Sequence, residues 1–249
     1  MRLTILGSSA SYAGAGQACA GYLVEQAATA VLFDCGNGVV ANLSCVADPL
    51  AIDAVFITHE HPDHFLDLYA LQALLRYAPG GAAAPLPLWA PSGLLESMGC
   101  LLSERGREEL AEAFVFHELI EHGTVTVGEL YVTPVRVDHT DSTFALVAEV
   151  DGGARLCYTS DTRPCPEVLV AATGANLLLA EATLPEEFRG RAPHLTATEA
   201  GGLAREAGVG RLVMTHIWPT NDRERMLAEA RVMFGAAVSI AEEFAVYDL

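Results

Sequence analysis

Thr58-His59-Glu60-His61-Pro62-Asp63-His64 places three imidazoles and the carboxylate of Asp63 within six residues, directly after the apolar run Ala54-Val55-Phe56-Ile57. Asp53 to Ile57 reads as a buried strand. Side chains of an extended segment alternate faces, so His59 and His61 project to the same side and can reach one ion. Pro62 disfavours the α region for His61 and fixes its own φ, after which Phe65 to Tyr77 carries Leu66, Ala70, Leu71, Leu74 and Leu75 at helical spacing. Asp63 and His64 therefore stand at a strand-to-helix turn, placed to hold a second ion beside the first. A solitary histidine beside an apolar run is usually a structural residue. Four ligand-type side chains converging without a cation would desolvate one another at considerable cost, so the pattern reads as a metal site.

Outward from this motif, the 249 residues suit one large layered domain spanning 1–249, since no Ser/Pro-rich linker or charge block divides them. A hydrophobic fraction of 51% is ample for a sizeable core. The six cysteines (Cys19, Cys35, Cys45, Cys100, Cys157, Cys165) show no C-x-x-C pair and read as small buried hydrophobes of a reducing, cytoplasmic protein. Met1 to Gly7 imitates the start of a signal peptide, yet its apolar core is short and breaks at Gly7-Ser8-Ser9, so it reads as a strand and a glycine turn. The long uncharged stretch Ala78 to Leu95 carries Pro79, Pro85, Pro87 and Pro91, which no membrane helix tolerates in that number; an interface loop, an active-site rim and a covered loop all remain open for it. No partnership with a membrane is expected.

Thirty-two acids against fourteen basic residues give a formal charge of −18, and every basic residue is arginine. The absence of lysine removes Schiff-base chemistry and a P-loop lysine. The acid excess disfavours a broad basic face for a long polyanion and favours a small substrate.

Strands are expected near Leu3 to Leu6, Gly21 to Glu25, Ala30 to Asp34, Pro85 to Ala90, Thr124 to Val127, Leu130 to Val137, Ser142 to Val150, Arg155 to Thr159, Asn176 to Glu181 and Arg211 to Thr215. Helices are expected over Gly38 to Cys45, Ser92 to Ala113 (weakened by Gly99 and Gly106), Pro166 to Thr173, Thr196 to Ala207 and Asp222 to Phe234. Two strand-rich halves with helices interspersed predict two facing sheets with helices outside. Four more strand ends carry a polar residue where ligands of such folds lie: Asp34, His139, Asp161 and His216.

This ordered set resembles the metallo-β-lactamase superfamily over nearly the whole chain. Ser160-Asp161-Thr162-Arg163-Pro164-Cys165, Glu181-Ala182-Thr183, His194-Leu195-Thr196-Ala197 and the turn Leu6-Gly7-Ser8-Ser9-Ala10 are similar to the branch containing tRNase Z and related phosphodiesterases. The resemblance implies an α+β fold, the αββα four-layer sandwich. It also implies two divalent ions, zinc first with manganese or iron as alternatives: His59, His61 and His139 on one, Asp63, His64 and His216 on the other, Asp161 bridging. Asp34 would then orient a ligand histidine. Two ions, two carboxylates and a bridging hydroxide leave about +1 in the pocket, which suits a monoanionic phosphodiester. The expected chemistry is attack on phosphorus by that hydroxide, with Asp63 within the catalytic centre. His194 is the candidate general acid and Glu181 holds its imidazole. Pro193-His194-Leu195-Thr196 also reads as a helix entry capped by Thr196.

Two departures from tRNase Z shape the substrate reading. Its H-E-A-T sequence is here Ala180-Glu181-Ala182-Thr183, and the interval from His139 to Asp161 holds one hairpin, with no room for the transfer-RNA-grasping arm. The expectation is thus a small or cyclic phosphodiester. A tRNA 3′-processing endonuclease is the alternative, followed by a thioester or lactone hydrolase and a non-catalytic metal-binding protein. Arg163 is the candidate positive contact to substrate. The sequence is nearly silent on oligomeric state; the related nucleases tend to form dimers, so the resemblance leaves a homodimer open.

Overall fold

Strands covered on both faces read as unbroken apolar runs, and Val31-Leu32-Phe33, Ala54-Val55-Phe56, Leu177-Leu178-Leu179-Ala180 and Leu212-Val213-Met214 are all buried from end to end. Each run faces two ways. Leu32, Val55 and Leu88 pack under helices, while Val31, Phe33, Ala54 and Phe56 face the other sheet.

The computed structural model describes residues 1–235 and 238–249. The first half runs β1 (Arg2–Gly7), β2 (Gly21–Gln26), β3 (Thr29–Phe33), α1 (Val39–Val46), β4 (Ala54–Phe56), the single turn α2 (Pro62–Phe65), α3 (Leu68–Tyr77), β5 (Leu86–Ala90), α4 (Leu94–Gly99), α5 (Glu104–Ala113) and β6 (Phe114–Glu118). The second runs β7 (Val125–Val127), β8 (Leu130–Val137), β9 (Thr143–Glu149), β10 (Arg155–Tyr158), α6 (Pro166–Ala172), β11 (Leu177–Glu181), α7 (Ala197–Glu206), β12 (Leu212–Thr215), α8 (Arg223–Phe234), β13 (Val238–Ile240) and β14 (Val246–Asp248).

Two seven-stranded mixed sheets result, in the orders β14-β1-β2-β3-β4-β5-β6 and β13-β12-β11-β10-β9-β8-β7. One apolar layer lies between the sheets, and a further layer lies between each sheet and its helices, so the molecule is the four-layer αββα sandwich that the sequence predicts. Strands β3 to β6 are parallel, and β10 to β13 are parallel. β8 shares their direction, being antiparallel to β9, which is antiparallel to β10. The loops that leave the carboxyl ends of both parallel sets meet at one edge, where open sheets of this kind bind ligands.

Several elements differ from the sequence expectation. The helix expected from Phe65 to Tyr77 breaks after Phe65, because Asp67 turns its amide to Cys35 O (2.9 Å) and its carboxylate to Val40 N (3.0 Å). The helix expected from Ser92 to Ala113 is two helices, the second capped by Ser103 Oγ on the Gly106 amide. Strands β6, β13 and β14 were not expected; β14 pairs with β1 across the whole chain, joining the two ends. Cys45 and Cys100 are exposed, so the reading of all six cysteines as buried is corrected; all are free thiols, and Cys19, Cys35 and Cys157 are buried as expected. Within Ala78 to Leu95, the proline-containing run from Leu86 is strand β5, paired between β4 and β6, and Gly93 approaches Glu60 of the histidine motif. Among the described residues no helix is long and apolar enough to cross a membrane.

Candidate metal centre

Three residues just past strand ends at the site hold left-handed φ with a side chain present, Asp34 (56°), Ser160 (54°) and His216 (50°), and Ser11 (60°) in the turn beside Asp63 makes a fourth such position. Such conformations are costly for non-glycine residues and persist where the surroundings impose them. Close approach matters too. A Cβ on Gly36 would stand 2.0 Å from the carbonyl of Asp63, so only glycine lets the loop after β3 lie against the metal-motif turn.

The structure brings the sequence-predicted residues together. His59, His61, His139 and Asp161 offer donor atoms all within 4.8 Å of one another, as do Asp63, His64 and His216. Asp161, His194 and His216 form a third such group that links the other two. Asp161 lies between them: Oδ2 is 3.7 Å from His59 Nε2 and 3.6 Å from His139 Nε2, while Oδ1 is 3.5 Å from His64 Nε2.

Behind the rings, hydrogen bonds fix which nitrogen faces inward. Asp34 Oδ2 accepts from His64 Nδ1 (2.8 Å), Thr58 Oγ1 (3.0 Å) and Tyr158 Oη (2.8 Å), and its Oδ1 accepts from the Thr58 amide. Because the Thr58 hydroxyl proton is committed to Asp34, its oxygen accepts from His59 Nδ1 at 3.1 Å. Thr183 repeats the device: its hydroxyl donates to Glu181 Oε2 (2.7 Å), so it accepts from His216 Nδ1 (2.9 Å). His139 Nδ1 donates to Pro193 O at 2.9 Å. Four imidazoles thus turn Nε2 to the centre. His61 is reversed, with Nδ1 towards His139 Nε2 at 3.2 Å. On the carboxylate side, the Ser11 amide donates to Asp63 Oδ2 at 2.6 Å.

His59 Nε2 and Asp161 Oδ1 are fully buried yet have no hydrogen-bond partner. Buried polar atoms are nearly always satisfied, and a lone pair and a carboxylate oxygen left over in a nest of imidazoles fit a cation. The donor set, imidazole nitrogen and carboxylate oxygen, suits a divalent ion of the zinc kind.

The protein's own charges show the same tension. Burial and the charge of His64 hold His59 well below the usual histidine range, against Asp161. Burial opposes the charged form of His64 as well, but Asp161 and Asp34 win and hold it well above. Burial likewise disfavours ionised Asp161 and Asp63, yet the neighbouring imidazoles, His216 first, keep both carboxyls below their ordinary range.

His194 stands apart from the rings that face inward. Its Nδ1 is 2.8 Å from Oε1 of fully buried Glu181, a carboxylate that also accepts from the Thr162 and Thr183 amides. Burial pushes His194 down, but the charge and hydrogen bond of Glu181, then Asp161, more than offset this and raise it to about 9. Thr196 caps α7 through a capping box with Glu199, so the helix-entry reading of this segment holds as well. Arg163 is turned to Asp138, Nε to Oδ1 3.4 Å, the surface ion pair that an arginine after a strand end commonly forms.

Sequence reasoning missed Thr58, Tyr158, Thr183 and Ser11 as supports. Thr58 and Thr183 lie inside the motifs quoted above; for Thr58 the signal is its place directly before the ligand His59, whereas Thr183 meets His216 from 33 residues away. Tyr158 carries one too, a phenol in an apolar strand. Ser11 acts through its amide, which leaves no mark in sequence.

Residues 29–217 match the family model of the β-lactamase superfamily domain. An uncharacterised protein of Mycobacterium tuberculosis is 34% identical over 242 residues, covering 96% of this chain and 88% of its own length. Ribonuclease Z of Myxococcus xanthus is 29% identical over 295 residues, covering 97% and 95%. The crystal structure of the metallo-β-lactamase fold protein YhfI from Bacillus subtilis is similar with a TM-score of 0.88 at 25% identity, covering 99% of each chain.

Proposed function

This chain belongs to the β-lactamase superfamily as a metal-dependent hydrolase, and we propose that within the family it is a phosphodiesterase acting on small or cyclic phosphodiesters. The observation that carries this reading is the His194–Glu181 pair, set beside two donor groups that share Asp161. His59, His61 and His139 would hold one divalent ion, Asp63, His64 and His216 a second, and Asp161 would serve both; zinc is the proposed ion. When bound, such ions lower the pKa of water towards about 7 and neutralise charge on a phosphoryl group.

The chain's own residues supply the rest. His194 keeps Nδ1–H on Glu181 and offers Nε2–H to the departing alkoxide, which is a poor leaving group without a proton. Asp34 holds His64 and the backbone at Thr58, and Thr183 holds His216, so the inward nitrogens are fixed before substrate arrives.

A tRNA 3′-processing endonuclease is the second reading, favoured by the similarity to a ribonuclease Z over nearly the full chain. Against it stand the −18 charge without lysine and the single hairpin β9–β10 between His139 and Asp161. Metal-reconstituted protein should be assayed on bis-p-nitrophenyl phosphate, 2′,3′- and 3′,5′-cyclic nucleotides, precursor tRNA, a glutathione thioester and a lactone. Turnover of the small diesters supports the proposal. Activity confined to the thioester or lactone sinks it, and accurate cleavage of precursor tRNA promotes the endonuclease.

A further inference from the structure

On the side of the centre formed by Asp63 and His216, two aromatic side chains reach the surface. Trp218 lies two residues after His216, half-buried, and its indole N–H donates to Ser11 Oγ at 3.3 Å. Ser11 in turn donates its amide to Asp63 Oδ2 at 2.6 Å, so the indole stands two hydrogen bonds from a proposed ligand. Tyr12 follows and is 51% exposed.

The turn that carries them is tight. The Tyr12 amide bonds Ala10 O at 2.6 Å around Ser11, whose φ is 60°, a three-residue left-handed turn that stores backbone strain. It is also anchored. Ala10 N bonds Ile217 O and Ile217 N bonds Ser8 O, so the Ser11 turn and the Trp218 loop are tied together beside the site. The only other tryptophan, Trp89, is used differently: it is stacked between Phe56 (5.1 Å) and His117 (4.6 Å).

A strained turn that exposes aromatic surface two hydrogen bonds from Asp63 offers a flat face to a molecule bound at the centre. Charge is a poor handle for the organic part of a substrate here, because acids outnumber basic residues and Arg163, beside Asp161, is paired with Asp138. Aromatic stacking needs no charge and tolerates any flat ring.

We propose that Trp218, with the exposed Tyr12 on the Ser11 turn to which the indole is bonded, is a stacking platform that selects phosphate esters carrying a planar ring, a nucleobase or an aryl group, on the Asp63–His216 side of the centre. This rests on the phosphodiesterase reading for the identity of the ester, but the platform is tested by binding alone. Zinc-loaded protein is titrated with adenosine 5′-monophosphate, phenyl phosphate and methyl phosphate while tryptophan fluorescence is followed. Quenching by the first two and not by methyl phosphate is expected, with the signal lost in Trp218→Phe and kept in Trp89→Phe. By calorimetry, Trp218→Ala should weaken the ring-bearing esters about 5- to 150-fold and leave methyl phosphate unchanged, while Trp218→Phe restores much of the loss. Tyr12→Ala, whose side chain holds no hydrogen bond to the site, gives the same split on a smaller scale if Trp218→Ala fails to fold. Tight binding of the adenosine ester identifies a nucleobase; preference for phenyl phosphate identifies an aryl ester. Equal weakening of all three probes in both alanine variants means the rings only brace Ser11, and unchanged binding of all three means they touch nothing; either overturns the platform. Absence of diester hydrolysis with this binding pattern intact would remove the phosphodiesterase reading and leave the platform standing.

Discussion

The two donor groups of the centre are built from the same side chains but held with unequal care. His64, His216 and Asp63 are each backed by a hydrogen-bonding partner that is not itself a ligand: Asp34, Thr183 and the Ser11 amide. Tyr158 and Thr58 brace Asp34 again from behind. In the other group His59 leans on the Thr58 hydroxyl and His139 on a loop carbonyl, while His61 is exposed and its nearest polar partner is another ligand. Preorganisation saves the entropy of ordering ligands when a cation arrives. The braced group should therefore bind its ion more tightly, and the group with His61 should exchange.

The change that breaks the comparison most completely is at Asp161, the residue both groups share. Asp161→Ala should leave less than two equivalents of zinc after loading and remove activity beyond the about 10- to 100-fold loss typical of losing a supporting group. Metal analysis alongside turnover checks it; two tightly held equivalents in that variant would show that the groups are independent. Next comes His194→Ala, which should lower kcat by about 10²- to 10⁴-fold with both equivalents of metal retained. A parallel loss of metal would place His194 among the ligands, an arrangement its closeness to Asp161 and His216 makes testable. Smaller again is Asp34→Asn. Competition with a chelator should show two separable affinities in the parent protein, and in the variant the tighter one should weaken about 10- to 100-fold towards the looser. If the two remain as far apart as before, bracing does not set the difference.

The same contrast explains what could be read from the chain. His59 to His64 is local: a buried strand, a proline and a helix fix the relation of its side chains within a few residues, so alternation and spacing suffice. Asp34, Asp161 and His216 were legible because polar residues that close apolar strands in parallel sheets have one place to go. Their supports were not legible in the same way. The Tyr158 phenol reaches Asp34 across 124 residues of sequence, from the layer between the two sheets where Tyr22 and Tyr158 pack at 4.7 Å. Ser11 acts through a backbone amide, which any residue could supply. Strands β13 and β14 are three residues each and owe their form to the neighbours they pair with, β12 and β1, and not to a pattern of their own.

The smallest expected effect is on pH dependence, and it separates the proton donor from the metal centre. His194 sits at about 9, above the ordinary histidine value, so its proton is in place through neutral pH and is lost as pH rises through that value. A general acid must be protonated to act; the rate should accordingly fall on the alkaline side. Bound cations repel the imidazolium, so in the loaded enzyme the limb lies below about 9. Glu181 is the largest group holding the imidazole up. Glu181→Gln keeps an acceptor for His194 Nδ1 but removes the charge, and the alkaline limb of kcat should move towards pH 6.5. A shift that far leaves about a quarter of His194 protonated at pH 7, hence a loss of about fourfold there and almost none at pH 5.5. An alkaline limb that stays where it was in Glu181→Gln assigns that limb to another group and takes the role of acid away from His194.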